Sequence, residues 1–501
     1  MDLLHAPVRD AAMMRGAPVR TFPWWEACAA VGGVGGALVY CAAHRSLIDD
    51  SYITLDYART FAHYGQWALE PGHQANAATS PLNVILLAGL IVLTGAPVVS
   101  VGILLVVALT VTGAALSVTC TRLRRSQWLA AMGVSLLVLN PLLISTIGLE
   151  TYLGVALIAV LGATAVVQRP MVTGVVCGLL VLTRADLAAF ALAALVLVIA
   201  QSPAQHRSRH AAQVIGVAGL VALPWFAASW WWLGSAVPDT LLFKISETWA
   251  GNSFAVGLWH YALAYPVATG LSVLPAAMGL VVLTAWSAGG LRQPSGAHQR
   301  GGPVAELAVV WGFGAILHLT VFLQLRPPPY HWYYGPAIGA LTMLAVVGID
   351  TSYRVLRWTG ATAALLCIAT TMMFLAARSW AAMPISTSWA SASQYAALAA
   401  RVPSGTTVEA FGEVGTVAYF CDCVVVDRFS DRAQVADLLR AKRATAGPVV
   451  RTLLDWNYHR FKADPPIHAF YMFEFAEDPT GIAVTSPWRP YAGQMVVRPA
   501  N

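Results

Sequence analysis

The chain has 501 residues, is 57% hydrophobic and only 11% charged, and carries a formal net charge of +6. A soluble globular chain carries roughly 25% charged residues, and the mean hydropathy here is +0.63. Composition thus excludes a soluble globular protein and a nucleic-acid-binding surface, and leaves a polytopic membrane protein with small basic loops.

Arg9, Arg15 and Arg20 precede the first apolar run, at about 24–43. That run lacks a small-residue cleavage site and reads as an uncleaved first helix. Directly after it, residues 49–83 read DDSYITLDYARTFAHYGQWALEPGHQANAATSPLN. The pattern places Tyr52, Leu55 and Ala58 on one face of a helix lying along the membrane, with Asp49 and Asp50 at its start. Anions suit a helix N-terminus, and a carboxylate there can take a proton from an attacking hydroxyl. The plainer reading is solvated capping at a membrane surface.

Further apolar runs fall near 81–96, 98–119, 129–146, 152–167, 171–183, 186–200, 212–232, 262–287, 304–324, 335–350 and 358–377. Basic clusters punctuate them at Arg122/Arg124/Arg125, Arg207/Arg209, Arg292/Arg300 and Arg354/Arg357. Arginine gathers in cytoplasmic loops. If 81–96 crosses the bilayer, every cluster lies outside; if it does not, all four lie inside. The second choice predicts about 11 transmembrane helices plus an outer-face juxtamembrane helix at 81–96, with 171–200 forming two short helices that meet at LTRAD.

That topology puts the 49–83 stretch, the GLET turn at 148–151, the loop 233–261 and RPPPYHWYYGP at 326–336 on the outer side. Acids at a membrane edge are costly and usually functional, which singles out Glu150 against the reading as a simple helix cap. Arg184 and Asp186 either serve a ligand or pair with each other. Lys244 is the only lysine before Lys442 and sits in an outer loop. A fixed cation there suits a phosphate brought by a lipid, or merely outer-leaflet headgroups. His331, with Tyr330, Trp332, Tyr333 and Tyr334, offers a sugar-lining surface or an ordinary interfacial belt.

From about Arg378 the pattern changes. TTVEAFGE, CVVVDRF and IHAFYMFEF read as strands and DRAQVADLLRAK as a helix. Residues 1–377 thus form a membrane domain and 378–501 a small C-terminal extracytoplasmic α/β domain. Cys421 and Cys423 form C-x-C without the second pair a zinc site needs.

The ordered set resembles the GT-C superfamily of glycosyltransferases, integral membrane enzymes that take sugar from a polyprenyl-phosphate carrier. The likeness is carried by the 49–82 stretch, GLET, LTRAD, WWLGSAVPDTLLFK at 231–244, and FGEVGTVAYFCDCVVVDRFS in the tail. Within that superfamily it is nearest the terminal arabinofuranosyltransferases of mycobacterial cell walls. The chain departs from them in reading HQANAATSP where an acid often precedes TSP, and in its shorter tail.

The resemblance implies a multi-pass plasma-membrane glycosyltransferase for cell wall biogenesis, with its active site on the extracytoplasmic side. It implies Asp49 or Asp50 as base, Lys244 and Arg184 on the donor phosphate, and Glu150 with the second aspartate placing acceptor hydroxyls or a divalent cation. Tyr52, Asn76, Thr79, Asn83, Asp186 and His331 are the further substrate-binding residues expected. Expected partners are a polyprenyl-phosphate sugar donor (with arabinofuranose as the sugar the likeness points to), a glycan or glycolipid acceptor, membrane lipid, and no nucleic acid. The alternative is a transporter or lipid-linked sugar flippase, which predicts inverted repeats and acids at mid-membrane. Neither is evident in the sequence.

Overall fold

The computed structural model describes residues 23–246, 253–288, 303–349, 354–410, 412–486 and 491–500. Arg9, Arg15, Arg20, Arg292 and Arg300 lie outside the described residues. Helices form at all twelve apolar runs. The first are α1 (Trp24–Ala43), α2 (Asp49–Tyr64), α3 (Pro81–Thr94), α4 (Pro97–Arg122), α5 (Gln127–Leu139) and the single turn α6 (Pro141–Ile144). Next come α7 (Thr151–Val167), α8 (Pro170–Thr183), α9 (Ala188–Gln201), α10 (Arg207–Trp232), α11 (Thr240–Lys244), α12 (Phe254–Ala264) and α13 (Pro266–Ser287). The segment α14 (Pro303–Leu307) passes through a π-helical turn at Ala308–Phe313 into α15 (Gly314–Leu325), and α16 (Gly335–Ile349) and α17 (Arg354–Ala377) complete the bundle.

Among the described residues, six helices are long and apolar enough to cross a membrane, and seven more apolar helices run 10–17 residues. Leu220, Val281 and Met373 are largely exposed, which suits lipid rather than water around the bundle.

Small residues let the first helices touch backbone to backbone. A Cβ on Gly32 would sit 2.1 Å from the Leu109 carbonyl oxygen, and one on Gly113 would sit 2.1 Å from that of Cys28. Close approach through glycine is a usual way to pack helices where lipid offers no hydrophobic driving force. The pairing is antiparallel. Tyr40 Oη, near the end of α1, donates to Val98 O at the start of α4 at 2.8 Å. At the opposite end, Cys28 Sγ lies 3.9 Å from Gln127 O. Residues 44–97 therefore stay at one end of the bundle, and α3 does not cross, as the arginine pattern predicts.

Later helices alternate in direction. Arg122, Arg124, Arg125, Arg207 and Arg209 gather at the end remote from α2, while Glu150, Arg184 and Lys244 return to α2's end and share a cavity with it. The expected LTRAD break is present: α8 ends at Arg184, whose backbone is extended, and a 3-10 turn at Ala185–Leu187 leads into α9.

The tail leaves the bundle at the same end, where Ser46 Oγ donates to Trp380 O. It contains α18 (Ala392–Ala399), β1 (Thr407–Glu409), α19 (Gly415–Phe420), β2 (Val424–Val426), α20 (Arg432–Thr445), α21 (Pro448–Asn457), β3 (Tyr471–Ala476), β4 (Ile482–Ser486) and β5 (Tyr491–Pro499). Five strands form one sheet in the order β2-β1-β3-β5-β4. The β2-β1-β3 side is parallel and the β3-β5-β4 side antiparallel. The strands and the helix expected from the sequence all form.

Candidate active site

A cavity of about 810 Å³ lies between the α2 end of the bundle and the tail. The bundle contributes Asp49, Asp50, Thr79, Ser80, Glu150, Arg184 and Lys244 to its wall, with Tyr330 and Trp332 beside them. Glu409, Glu413, Asp427 and Arg428 come from the tail.

The two adjacent aspartates do different things. Asp49 is buried, and its carboxylate accepts three backbone N–H groups of the tail. Oδ2 takes Val414 N at 3.1 Å and Gly415 N at 3.2 Å, and Oδ1 takes Thr416 N at 2.6 Å. Those are orphan donors at the start of α19, which a carboxylate caps well. No side chain fits at Gly415, where a Cβ would lie 2.5 Å from Asp49 O. Asp49 therefore fastens the tail to α2.

One residue on, Asp50 turns to the cavity. Burial pushes its carboxyl up to about 7; Lys244 opposes that rise, and Asp49 and Glu150 add to it. A carboxyl near neutrality can accept a proton at working pH.

Lys244 ends α11 and stands over three rings. Its Nζ is 5.1 Å from the Tyr330 ring centre, 5.8 Å from Trp332 and 5.9 Å from Tyr333. Burial lowers the ammonium's pKa, but Tyr333 and Asp50 outweigh it and the net shift is upward. Lys244 stays charged. Its loop is tied to the stretch after α2: Asn76 Nδ2 donates to Ser235 O at 2.8 Å, Asp239 N to Asn76 O at 2.7 Å, and Thr240 Oγ1 to Ala77 O at 3.1 Å.

Arg184 is held between two acids. Nη1 donates to Glu150 Oε1 and Nε to Asp186 Oδ1, each at 2.8 Å. Its guanidinium lies 5.1 Å from the Tyr333 ring centre. Asp186 Oδ2 also lies 3.4 Å from His318 Nδ1, and His318 Nε2 bonds Tyr333 O at 3.0 Å. The pairing of Arg184 with Asp186 anticipated from the sequence is real, but Glu150 is a third member. Such an arginine shapes the cavity floor before it binds anything.

The other expected residues divide. Thr79 lines the cavity, next to Ser80, whose buried Oγ has no hydrogen-bond partner among the described residues. Tyr52, Asn76, Asn83 and His331 are not on the wall. Tyr52 packs against Tyr419 and Phe420 of α19, at 5.0 and 5.5 Å between ring centres. Asn76 spends its Nδ2 on the Ser235 loop. Asn83 Nδ2 donates to Gly148 O at 3.2 Å and shapes the GLET turn. His331 bonds Ser145 O at 3.1 Å, and burial lowers its pKa to about 4, so it is neutral. The amide N–H groups of Asn76 and Asn83 and one ring nitrogen of His331 are bonded inside the fold, while Asn76 Oδ1, Asn83 Oδ1 and His331 Nδ1 have no hydrogen-bond partner among the described residues.

The tail supplies one wall of the cavity. Burial pushes Glu413 well above the usual carboxylate range, with the Asp49 charge adding, and pushes Asp427 up to about 6. The VVVDRFS stretch carried part of this signal, since it places Asp427 directly after β2. A divalent cation does not suit the donor set. Asp49 is occupied by N–H groups, Glu150 by Arg184, and among the described residues no three His, Cys, Asp or Glu come together to hold one. Cys421 and Cys423 pair with each other as a disulfide.

The chain matches no known protein family and no curated protein. Among solved structures it is similar to ArnT from Cupriavidus metallidurans bound to undecaprenyl phosphate, at 14% identity over 95% of this chain and 98% of that one, with a TM-score of 0.51. The apo state of the same protein gives 15% identity over 95% and 97%, also with a TM-score of 0.51. An oligosaccharyltransferase from Archaeoglobus fulgidus gives 11% identity over 90% and 69%, with a TM-score of 0.48. At the identity to ArnT the likeness is one of fold, and the fold is GT-C-like: a polytopic helix bundle carrying a small C-terminal domain.

Proposed function

We propose that this chain is a membrane glycosyltransferase that moves a sugar from a polyprenyl-phosphate donor to a glycan or glycolipid acceptor. One observation carries the reading: Asp50, near neutrality, and Lys244, firmly charged, share a single cavity at one end of a GT-C-like bundle. ArnT, whose fold it resembles, is a protein crystallised with undecaprenyl phosphate, which favours a lipid-phosphate substrate here. Arabinofuranose as the sugar rests on the sequence likeness alone.

The chemistry is a displacement at the anomeric carbon. The Asp50 carboxylate takes the proton of an acceptor hydroxyl, whose oxygen forms the new glycosidic bond. The bond from the anomeric carbon to the phosphate oxygen breaks, and its electron pair leaves with the polyprenyl phosphate. Lys244 meets that developing charge, where a preplaced cation is worth most. Arg184, already bound to Glu150 and Asp186, holds the floor and the Tyr333 ring that flanks Lys244. Ser80 and Thr79 are placed to bond sugar hydroxyls, and the tail wall to receive the acceptor.

Turnover of a synthetic polyprenyl-phosphate sugar by purified protein tests the reading directly. Lys244→Ala is expected to weaken donor binding about 10- to 150-fold, since a charge-assisted bond to phosphate is worth roughly 1.5–3 kcal/mol. Lys244→Arg should recover part of it, because the charge is kept while the geometry differs. Unchanged donor affinity in Lys244→Ala would leave the lysine a headgroup anchor and remove it from the mechanism.

Two observations support an outward-facing site. Arg122, Arg124, Arg125, Arg207 and Arg209 lie at the far end of the bundle, and arginine favours the cytoplasmic side. The tail also holds the Cys421–Cys423 disulfide, and disulfides persist in oxidising compartments. In a Cys41→Ser background, an impermeant thiol reagent added to intact cells should label Ala96→Cys and spare Ser126→Cys. The reverse pattern would turn the site inward.

A further inference from the structure

We infer that α21 is an in-plane membrane anchor, seated at the boundary between lipid headgroups and acyl chains. Its sequence is PVVRTLLDWN, and none of its residues is buried. Val449 is 73% exposed, Leu453 61% and Trp456 62%, with Val450 at 54%. Positions 449, 450, 453 and 456 fall on one helical face. Leu454, round the side, packs against the small core of Leu242, Phe243, Val435, Leu439 and Tyr458. On the polar side, Asp455 pairs with Arg443 of α20. The helix therefore has one face satisfied by the tail and an apolar face that stays largely exposed, with only the Trp230 ring stacked on it at Trp456 among the contacts of the described residues.

Its position in the molecule selects the occupant. Trp230, near the end of α10, donates Nε1–H to Trp456 O at 3.0 Å, and the two rings stack at 6.0 Å. Asn457 Oδ1 accepts Ala236 N at 3.0 Å and Val237 N at 2.9 Å, in the loop that leaves α10. The Arg460 guanidinium lies 3.4 Å from the Trp231 ring centre. Trp231 and Trp232 are themselves 57% and 75% exposed. α10 is one of the helices long and apolar enough to span a bilayer, and tryptophan collects where a span meets the headgroups. The apolar face of α21 thus continues a tryptophan belt at the level where α10 leaves the hydrocarbon. Exposed His459 and Lys462 follow the helix in sequence, a composition suited to anionic headgroups. A lipid surface covers this face, and it holds the tail's cavity wall at headgroup height. The inference needs the bundle to sit in a membrane, and not the transferase reading.

The test uses the full chain in phosphatidylethanolamine–phosphatidylglycerol vesicles, in a Cys41→Ser background, the other free cysteines being buried. Nitroxide labels are placed at Leu453→Cys and Val449→Cys, and at Arg451→Cys on the polar side. Oxygen partitions into the bilayer and a nickel chelate stays in water. The ratio of oxygen to nickel collision rates should be severalfold higher at 453 and 449 than at 451. Equal ratios would put the helix in water. Shielding of 453 and 449 from both reagents would mean that protein covers the face. Either result overturns the anchor.

Discussion

Asp50→Asn is expected to cut sugar transfer about 10²- to 10⁴-fold, the usual cost of removing a general base, with donor binding retained. The asparagine keeps the size of the side chain, and among the described residues Asp50 makes no bond to the tail that its loss would break. Asp49→Asn should behave differently. Its amide would turn an NH₂ toward the N–H groups of Val414, Gly415 or Thr416, which now share one carboxylate. Losing hydrogen bonds to a charged group costs roughly 1.5–3 kcal/mol, so thermal stability and tail docking should fall with activity. A normal transfer rate in folded Asp50→Asn would end the proposed mechanism, and full stability in Asp49→Asn would end its role as the tail's fastening.

The pH profile gives an independent reading of the same residue. The base must be ionised, and the Asp50 carboxyl holds its proton up to about 7. kcat/KM should therefore rise about tenfold per pH unit below that point and level off above it. An unperturbed aspartate would level off near 4. A flat profile from pH 5 to 8 would say that another group takes the proton.

Arg184→Met is expected to destabilise the protein by about 3–5 kcal/mol, because it strands the partners of a buried charge. Glu150 and Asp186 both lose a guanidinium bond at 2.8 Å, in side chains that are 4% and 15% exposed. Replacing all three residues, as Arg184→Met/Glu150→Gln/Asp186→Asn, should restore much of the stability, since removing a whole buried ionic group is far milder than breaking it. The measurement is thermal unfolding of detergent-solubilised protein. If Arg184→Met kept full stability and lost only donor affinity, the arginine would be a phosphate ligand, as the sequence resemblance implies, and not the floor of the cavity.

Much of the fold was legible in the chain. Hydropathy sets which segments become helices because burial in lipid or protein is an additive, local property of side chains. The arginine pattern correctly kept residues 81–96 from crossing, since one parity change governs every later loop, and the Tyr40–Val98 bond bears this out. The apolar patterns of TTVEAFGE, CVVVDRF and IHAFYMFEF were enough for β1, β2 and β3, while β4 and β5 were not read from the sequence. Asp50, Glu150, Arg184, Lys244 and Thr79 were each recognisable as unusual at a membrane edge, and the cavity brings them together.

The roles within that set came only with tertiary structure. Asp49 and Asp50 are identical in type and adjacent, so no local signal separates them. About 100° of helix rotation points one at α19, more than 360 residues away in sequence, and the other at the cavity. Asn76 and His331 look like ligands in a sequence because a polar side chain shows its capacity there and not its partners. Their partners, Ser235 and Ser145, lie 159 and 186 residues away. Composition and periodicity fix how each segment meets lipid or water, but whether a buried polar group is satisfied depends on what packing brings to it from elsewhere in the chain.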